Sequence, residues 1–155
     1  MLIIPALVFL LVNLTACAGT QPKLSEPVKV VRVIDGDTIE TSIQGTLKTI
    51  RLIGVDTPES VNPDETKNTE EGRIVSEYVK ELLTGKEVSL EKDKDLQDDY
   101  GRELRYVYLG DEMIQEKLLK QGYARCMEVK PNTKYASRFK LLEQAAKKEK
   151  RGFWN

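Results

Sequence analysis

Between Val28 and Val55 the chain runs through three β-rich segments joined by turns of only a few residues. Connections this short point to an antiparallel meander, because a parallel crossover needs a dozen or more residues. Val28, Val30, Val31, Val33 and Ile34 form the first, β-branched run, which ends at Asp35-Gly36-Asp37. Ile39, Thr41 and Ile43 alternate with more polar neighbours, and Gln44-Gly45 supplies the next turn. Leu47 to Val55 reads as the third strand and leads into Asp56-Thr57-Pro58-Glu59. Pro58 fixes its own φ and pushes Thr57 toward an extended conformation, so this acidic turn is stiff.

Helical periodicity begins afterwards. Ile74, Tyr78 and Leu82 fall at i, i+4 and i+8, with Gly85 as a stop, which predicts a helix over about Glu70 to Thr84. Short strands are expected at Val88 to Glu91 and Leu104 to Leu109. A second helix is expected from Glu112 to Gln121, and a third from about Thr133 to Lys150, with Tyr135, Phe139, Leu142 and Ala146 on its buried stripe. Lys92 to Asp99 reads as an acidic, mobile loop. Early strands, with helices spaced among later ones, make this an α+β domain built on a small barrel or curled sheet. At 155 residues there is room for one such domain, and a monomer is expected.

The first residues have a different character. Leu2 to Leu14 is apolar apart from Pro5 and Asn13, too short to span a bilayer comfortably, and fits the hydrophobic region of a secretory signal. Leu14-Thr15-Ala16-Cys17 resembles the lipobox of bacterial lipoproteins, in which the cysteine is lipidated. The expected organisation is a signal over 1–16, a tether over 17–27 and a folded domain over 28–155, exported as a cell-envelope lipoprotein with a membrane anchor at Cys17, or secreted. The second cysteine, Cys126, then lacks a partner, so no disulfide framework is expected.

Composition narrows the chemistry. The chain has no histidine, which excludes Ser-His-Asp and Cys-His catalysis and histidine metal ligands. Lysines and arginines (24) nearly balance aspartates and glutamates (25), which gives no support to a sequence-independent DNA coat. Carboxylates, arginines and a metal remain. Asp37 and Asp56 are hard oxygen donors on separate turns, suited to Ca²⁺ or Mg²⁺, and the Thr57 carbonyl adds a third donor. Glu59, three residues past Asp56, is positioned to act as a general base on water. Arg51 and Arg102 offer bidentate positive charge for a phosphodiester.

Taken together, Val33-Ile34-Asp35-Gly36-Asp37-Thr38, Arg51-Leu52 through Val55-Asp56-Thr57-Pro58-Glu59, Asp99-Tyr100-Gly101-Arg102, Gln121-Gly122-Tyr123-Ala124 and Lys130-Pro131-Asn132 resemble the staphylococcal nuclease (thermonuclease) family. The resemblance covers essentially Val28 to Asn155. It implies an OB-type five-stranded β-barrel with three helices, and Ca²⁺-dependent hydrolysis of phosphodiesters in DNA and RNA. By the same resemblance Asp37, Asp56 and the Thr57 carbonyl are metal ligands and Glu59 the general base. Arg51 and Arg102 stabilise the transition state, Asp35 stands behind the metal ligands, and Tyr100 contacts the nucleotide. The alternative reading is a non-catalytic OB-type module that binds nucleic acid or protein. The match departs between Gln121-Gly122 and Lys130-Pro131, where Met127 and Glu128 occupy the region in which the family carries nucleotide-flanking tyrosines.

One geometric requirement follows from strand periodicity. Residues five apart on a flat strand face opposite sides, so Arg51 and Asp56 converge only if the chain breaks between them. Gly54 is the expected place.

Overall fold

The protein is described here by a computed structural model covering residues 21–155; the signal, the lipobox and Cys17 lie outside the described residues. Strands β1 (Val28–Asp35), β2 (Thr38–Ile43) and β3 (Thr46–Leu52) form the meander, each pair antiparallel. β4 (Val55–Asp56) is a two-residue strand just beyond. After helix α1 (Glu70–Leu83), β5 (Glu87–Glu91) pairs with the other edge of β1. β6 (Glu103–Leu109) pairs antiparallel with β5 and parallel with β3, where Arg51 lies opposite Leu104. That last pairing closes β3-β2-β1-β5-β6 into a five-stranded barrel, and closure removes the exposed sheet edges.

The rest packs outside the barrel. β7 (Glu112–Met113) hairpins onto β6 and runs directly into helix α2 (Ile114–Gln121). β8 (Arg125–Cys126) pairs with β4 as a separate two-stranded ribbon, and helix α3 (Ala136–Lys148) packs on α2 and β8. The expected α+β class, five-stranded barrel and three helices are thus all present. No helix among the described residues is long and apolar enough to cross a membrane.

Two helix starts differ from the sequence expectation, each for a local reason. The second helix starts at Ile114 because Glu112 and Met113 pair with Leu109 and Tyr108 as a strand. The third begins at Ala136, because Lys134 and Tyr135 are bound elsewhere. The Tyr135 hydroxyl donates to the buried Glu91 carboxylate at 2.9 Å, as does that of Tyr108, and Lys134 ion-pairs with the same group. This pins the start of α3 to the barrel. At the other end of the domain, Ser25 N–H donates to the Leu90 carbonyl at 2.9 Å and Leu24 bridges to Glu91, so chain just before β1 already lies along β5.

The break between Arg51 and Asp56 falls at Gly54, as expected. β3 stops at Leu52, Gly54 takes φ +81°, and the chain restarts as β4. A side chain here meets two obstacles. The left-handed conformation costs a residue with a Cβ about 1–2 kcal/mol, and a Cβ would lie 2.8 Å from Cε2 of the Phe139 ring. Gly54→Ala is therefore expected to lower stability by about 1–3 kcal/mol in urea unfolding. Combined with Phe139→Leu it should cost less than the sum of the two single changes, because only the steric part is shared. Strict additivity would show that the ring does not fill this space.

Candidate active site

The Gly54 turn folds the end of β3 back on itself, and Arg51 uses that geometry. Its Nη1 donates to the carbonyls of Leu52 (3.0 Å) and Val55 (2.9 Å), stapling the two sides of the turn. Its Nη2 lies 3.1 Å from Asp37 Oδ2 and 3.3 Å from Asp56 Oδ1. One guanidinium nitrogen therefore bridges carboxylates from the β1–β2 turn and from β4. The Arg51 and Asp37 side chains are 9% and 10% exposed, whereas that of Asp56 is 51% exposed. A buried charge of this kind is tolerated only when paired and hydrogen-bonded, as here.

Asp37 is the junction. Its Oδ2 accepts from the Thr57 N–H (2.9 Å) and the Thr57 hydroxyl (3.2 Å), and its Oδ1 accepts from the Thr38 hydroxyl (3.0 Å). The extended backbone that Pro58 imposes on Thr57 thus serves to aim both Thr57 donors at Asp37. Asp35 sits behind this pair. It accepts from the Ser60 hydroxyl at 2.6 Å and from its neighbour Gly36 N–H at 2.8 Å. Asp35 thereby fixes the segment that carries Glu59.

Glu59 is held by its backbone while its carboxylate is left exposed. The Glu59 carbonyl accepts from Thr69 N–H at 2.9 Å, at the start of α1. Such close approach to the helix requires Gly72, where an added Cβ would lie 2.1 Å from the Glu59 oxygen. The carboxylate itself makes one long contact, 3.4 Å from Asn62 Nδ2. It faces a cleft of about 320 Å³ whose walls include Asp35, Asp37, Arg51 and Arg102. Arg51 and Glu59, eight residues apart, share this one opening with the distant Arg102.

Arg102 reaches the cleft from the segment before β6, and Asp98 holds it there. Asp98 Oδ2 accepts from Arg102 Nε at 2.6 Å, while its Oδ1 accepts from the backbone N–H of Tyr100 (3.0 Å) and Arg102 (2.9 Å). Burial alone would raise the Asp98 carboxyl, but its side-chain and backbone bonds to Arg102 outweigh that and hold it below the ordinary aspartate value. Tyr100 is 85% exposed, with the Arg102 guanidinium 5.4 Å from its ring centre. It packs on no core and is free to meet a ligand.

The expectation of a mobile loop over Lys92 to Asp99 is corrected. Asp95 exchanges two hydrogen bonds with the buried Asn132 side chain, at 2.8 and 2.9 Å. The Leu96 carbonyl accepts from Leu104 N–H at 2.9 Å and from Arg105 Nη1 at 3.0 Å. Asp98, Ser60 and Gly72 were not singled out by the sequence. Spacing of Asp98 four residues before Arg102 was the available signal for the first; the other two have none without the fold.

Two aspartates around one guanidinium leave an electrostatic deficit. The Asp56 carboxyl is raised above its ordinary value, by partial burial first and then by the charge of Asp37, while Arg51 and Arg125 pull it down. Among the described residues no group of three or more Asp, Glu, Cys or His is arranged to hold a metal. Asp37 and Asp56 are the two carboxylates beside Arg51 that could take a hard divalent cation.

The family described as "Staphylococcal nuclease homologue" matches residues 49–155. The chain is 44% identical over 138 residues to "Thermonuclease" of Staphylococcus hyicus, covering 89% of this chain and 81% of that protein. It is equally identical, at 44% over 129 residues, to "Thermonuclease" of Staphylococcus intermedius, covering 83% and 76%. "Endonuclease YncB" of Bacillus subtilis is 44% identical over 130 residues, 83% of this chain and 61% of that one. The chain belongs to the staphylococcal nuclease family.

The Asp56 shift gives a pH prediction for the protein in chelator. Below the unfolded-state value both states hold the proton and no penalty exists; as pH rises through the higher folded value, the folded state bears a charge it disfavours. Asp56→Asn should therefore raise the melting temperature at pH 7 without metal, and this advantage should vanish in strongly acidic buffer. A variant less stable than the parent at pH 7 would contradict it.

Proposed function

We propose that this protein is a Ca²⁺-dependent nuclease that hydrolyses phosphodiester bonds in DNA and RNA. The observation that carries the reading is the convergence of Glu59, Arg51 and Arg102 on one cleft beside the Asp37–Asp56 pair. A module that only binds has no need of an exposed, backbone-anchored carboxylate there. Similarity to two thermonucleases and an endonuclease supports the same class.

Asp37, Asp56 and the Thr57 carbonyl are the residues that would hold the cation. When bound, calcium supplies positive charge against a non-bridging phosphate oxygen and lowers the repulsion between the carboxylates. The remaining work belongs to the side chains of this chain. Glu59, free of strong protein partners, accepts the proton of the attacking water as its oxygen bonds to phosphorus. The P–O bond to the leaving oxygen breaks with its electron pair, and solvent protonates that oxygen. Arg102 donates to phosphate oxygens whose negative charge grows in the transition state, and Asp98 fixes its orientation. Arg51 spends its Nη groups on the turn carbonyls and the two aspartates, which leaves its Nε–H as the donor available to the substrate. Tyr100, beside Arg102, offers its exposed ring to a nucleotide.

Plasmid and RNA digestion tests this reading. Cleavage is expected with Ca²⁺ and not with chelator, and Glu59→Gln should lower the rate by about 10²–10⁴. Activity that survives both chelator and substitution would sink the mechanism. Salt-sensitive binding with no cleavage would instead favour the OB-type binding module.

The same proposal places the nuclease outside the cytoplasm, tethered through lipid on Cys17. Its support is the apolar run Leu2 to Leu14 and the sequence Leu14-Thr15-Ala16-Cys17. Fractionation of cells expressing Cys17→Ser should find the protein released from membranes. A variant that stays membrane-bound would remove the lipid anchor from the proposal.

A further inference from the structure

Seven of the eight arginines lie in ion pairs with a carboxylate, and among the described residues Arg125 is the exception. It is exposed, yet far from solitary. Arg125 on β8 lies directly opposite Asp56 on β4. Side chains at opposed positions of an antiparallel pair project to the same face. The Arg125 guanidinium also lies 5.4 Å from the centre of the Trp154 ring, which is itself capped by Lys147 Nζ at 4.3 Å. Lys147 is neutralised by Glu143 at 3.0 Å, whereas Arg125 has no carboxylate at ion-pair distance, only the nearby charge of Asp56.

This placement is awkward for a cation with no ligand of its own. A positive group beside Asp56 weakens any cation held there, so Arg125 does not help to build the metal site. Its planar, weakly hydrated guanidinium, exposed and lying over an aromatic face, is suited to a phosphate. It does not line the cleft that holds Arg51, Glu59 and Arg102; it stands beyond Asp56, on the β4–β8 ribbon. A strand whose scissile phosphate lies in the cleft presents further phosphates along its length.

We propose that Arg125, backed by Trp154, binds a backbone phosphate of the nucleic-acid strand next to the one held in the cleft. The proposal rests on the nuclease reading above and adds a second subsite to it. Arg125 thereby favours a polynucleotide over a single nucleotide.

The test is binding in chelator, where a labelled single-stranded oligonucleotide stays intact, with a 5′-mononucleotide as the second probe. Arg125→Ala and Arg125→Gln should weaken the oligonucleotide roughly fivefold or more at low salt and reduce the slope of log K against log salt by about 0.7. Mononucleotide affinity should change little, and Arg125→Lys should keep most of the slope. Thermal melts of the glutamine and lysine variants check that both are folded. An unchanged slope in the folded glutamine variant overturns the subsite, and so does an equal loss on both probes, which would put Arg125 on the scissile phosphate. If the parent protein neither binds the strand nor cleaves it with Ca²⁺, the nuclease reading itself falls, a different result from failure of the subsite alone.

Discussion

A single guanidinium holds the site together. Arg51 is nearly buried, and its charge is acceptable there only because Asp37, Asp56 and two carbonyls surround it. Remove it, and two carboxylates face each other across a turn with no counter-charge. Remove Asp37, and a buried cation loses its principal partner while both Thr57 donors lose their acceptor. The interaction is therefore structural and chemical at once. It closes the Gly54 turn, and it sets the spacing between the two acidic segments on which any cation must rely.

Around that pair the fold assigns separate supports to separate groups. Asp35 and Ser60 steady the chain that carries Glu59, and Gly72 lets α1 approach its backbone. Asp98 orients Arg102, and Asn132 and Arg105 fasten the preceding loop to the body of the protein. The reactive groups are thus exposed at their tips and fixed at their bases. Preorganisation of this kind lowers the reorganisation that a charged transition state would otherwise require.

Much of this was legible in the sequence because it depends on local rules. Period-two alternation with short turns placed the meander, and period-3.6 stripes placed the helices. The requirement that Arg51 and Asp56 share a face located the break at Gly54. What was hidden depends on partners distant in the chain. Lys92 to Asp99 read as mobile because it is acidic and lacks apolar periodicity. The groups that hold it, Asn132 and Arg105, lie outside the segment. Glu112 and Met113 read as helix because they adjoin a helical stripe, and only the presence of β6 makes them a strand. Ser60 was invisible as a support, since its hydrogen bond to Asp35 spans 25 residues, whereas the spacing of Asp98 and Arg102 was legible.

The parallel pairing of β3 with β6 has a kinetic meaning. It is the contact that closes the barrel, it joins Arg51 to Leu104, and α1 and β5 lie between its two strands in the chain. Pairings so distant in sequence are late and slow to form, because a long loop must be closed before any contact rewards it. Arg51 and Arg102 therefore face one cleft only in a chain that has finished folding. A partly folded chain, even with its meander complete, has half a phosphate site, and the opening of one strand seam suffices to take the two arginines apart.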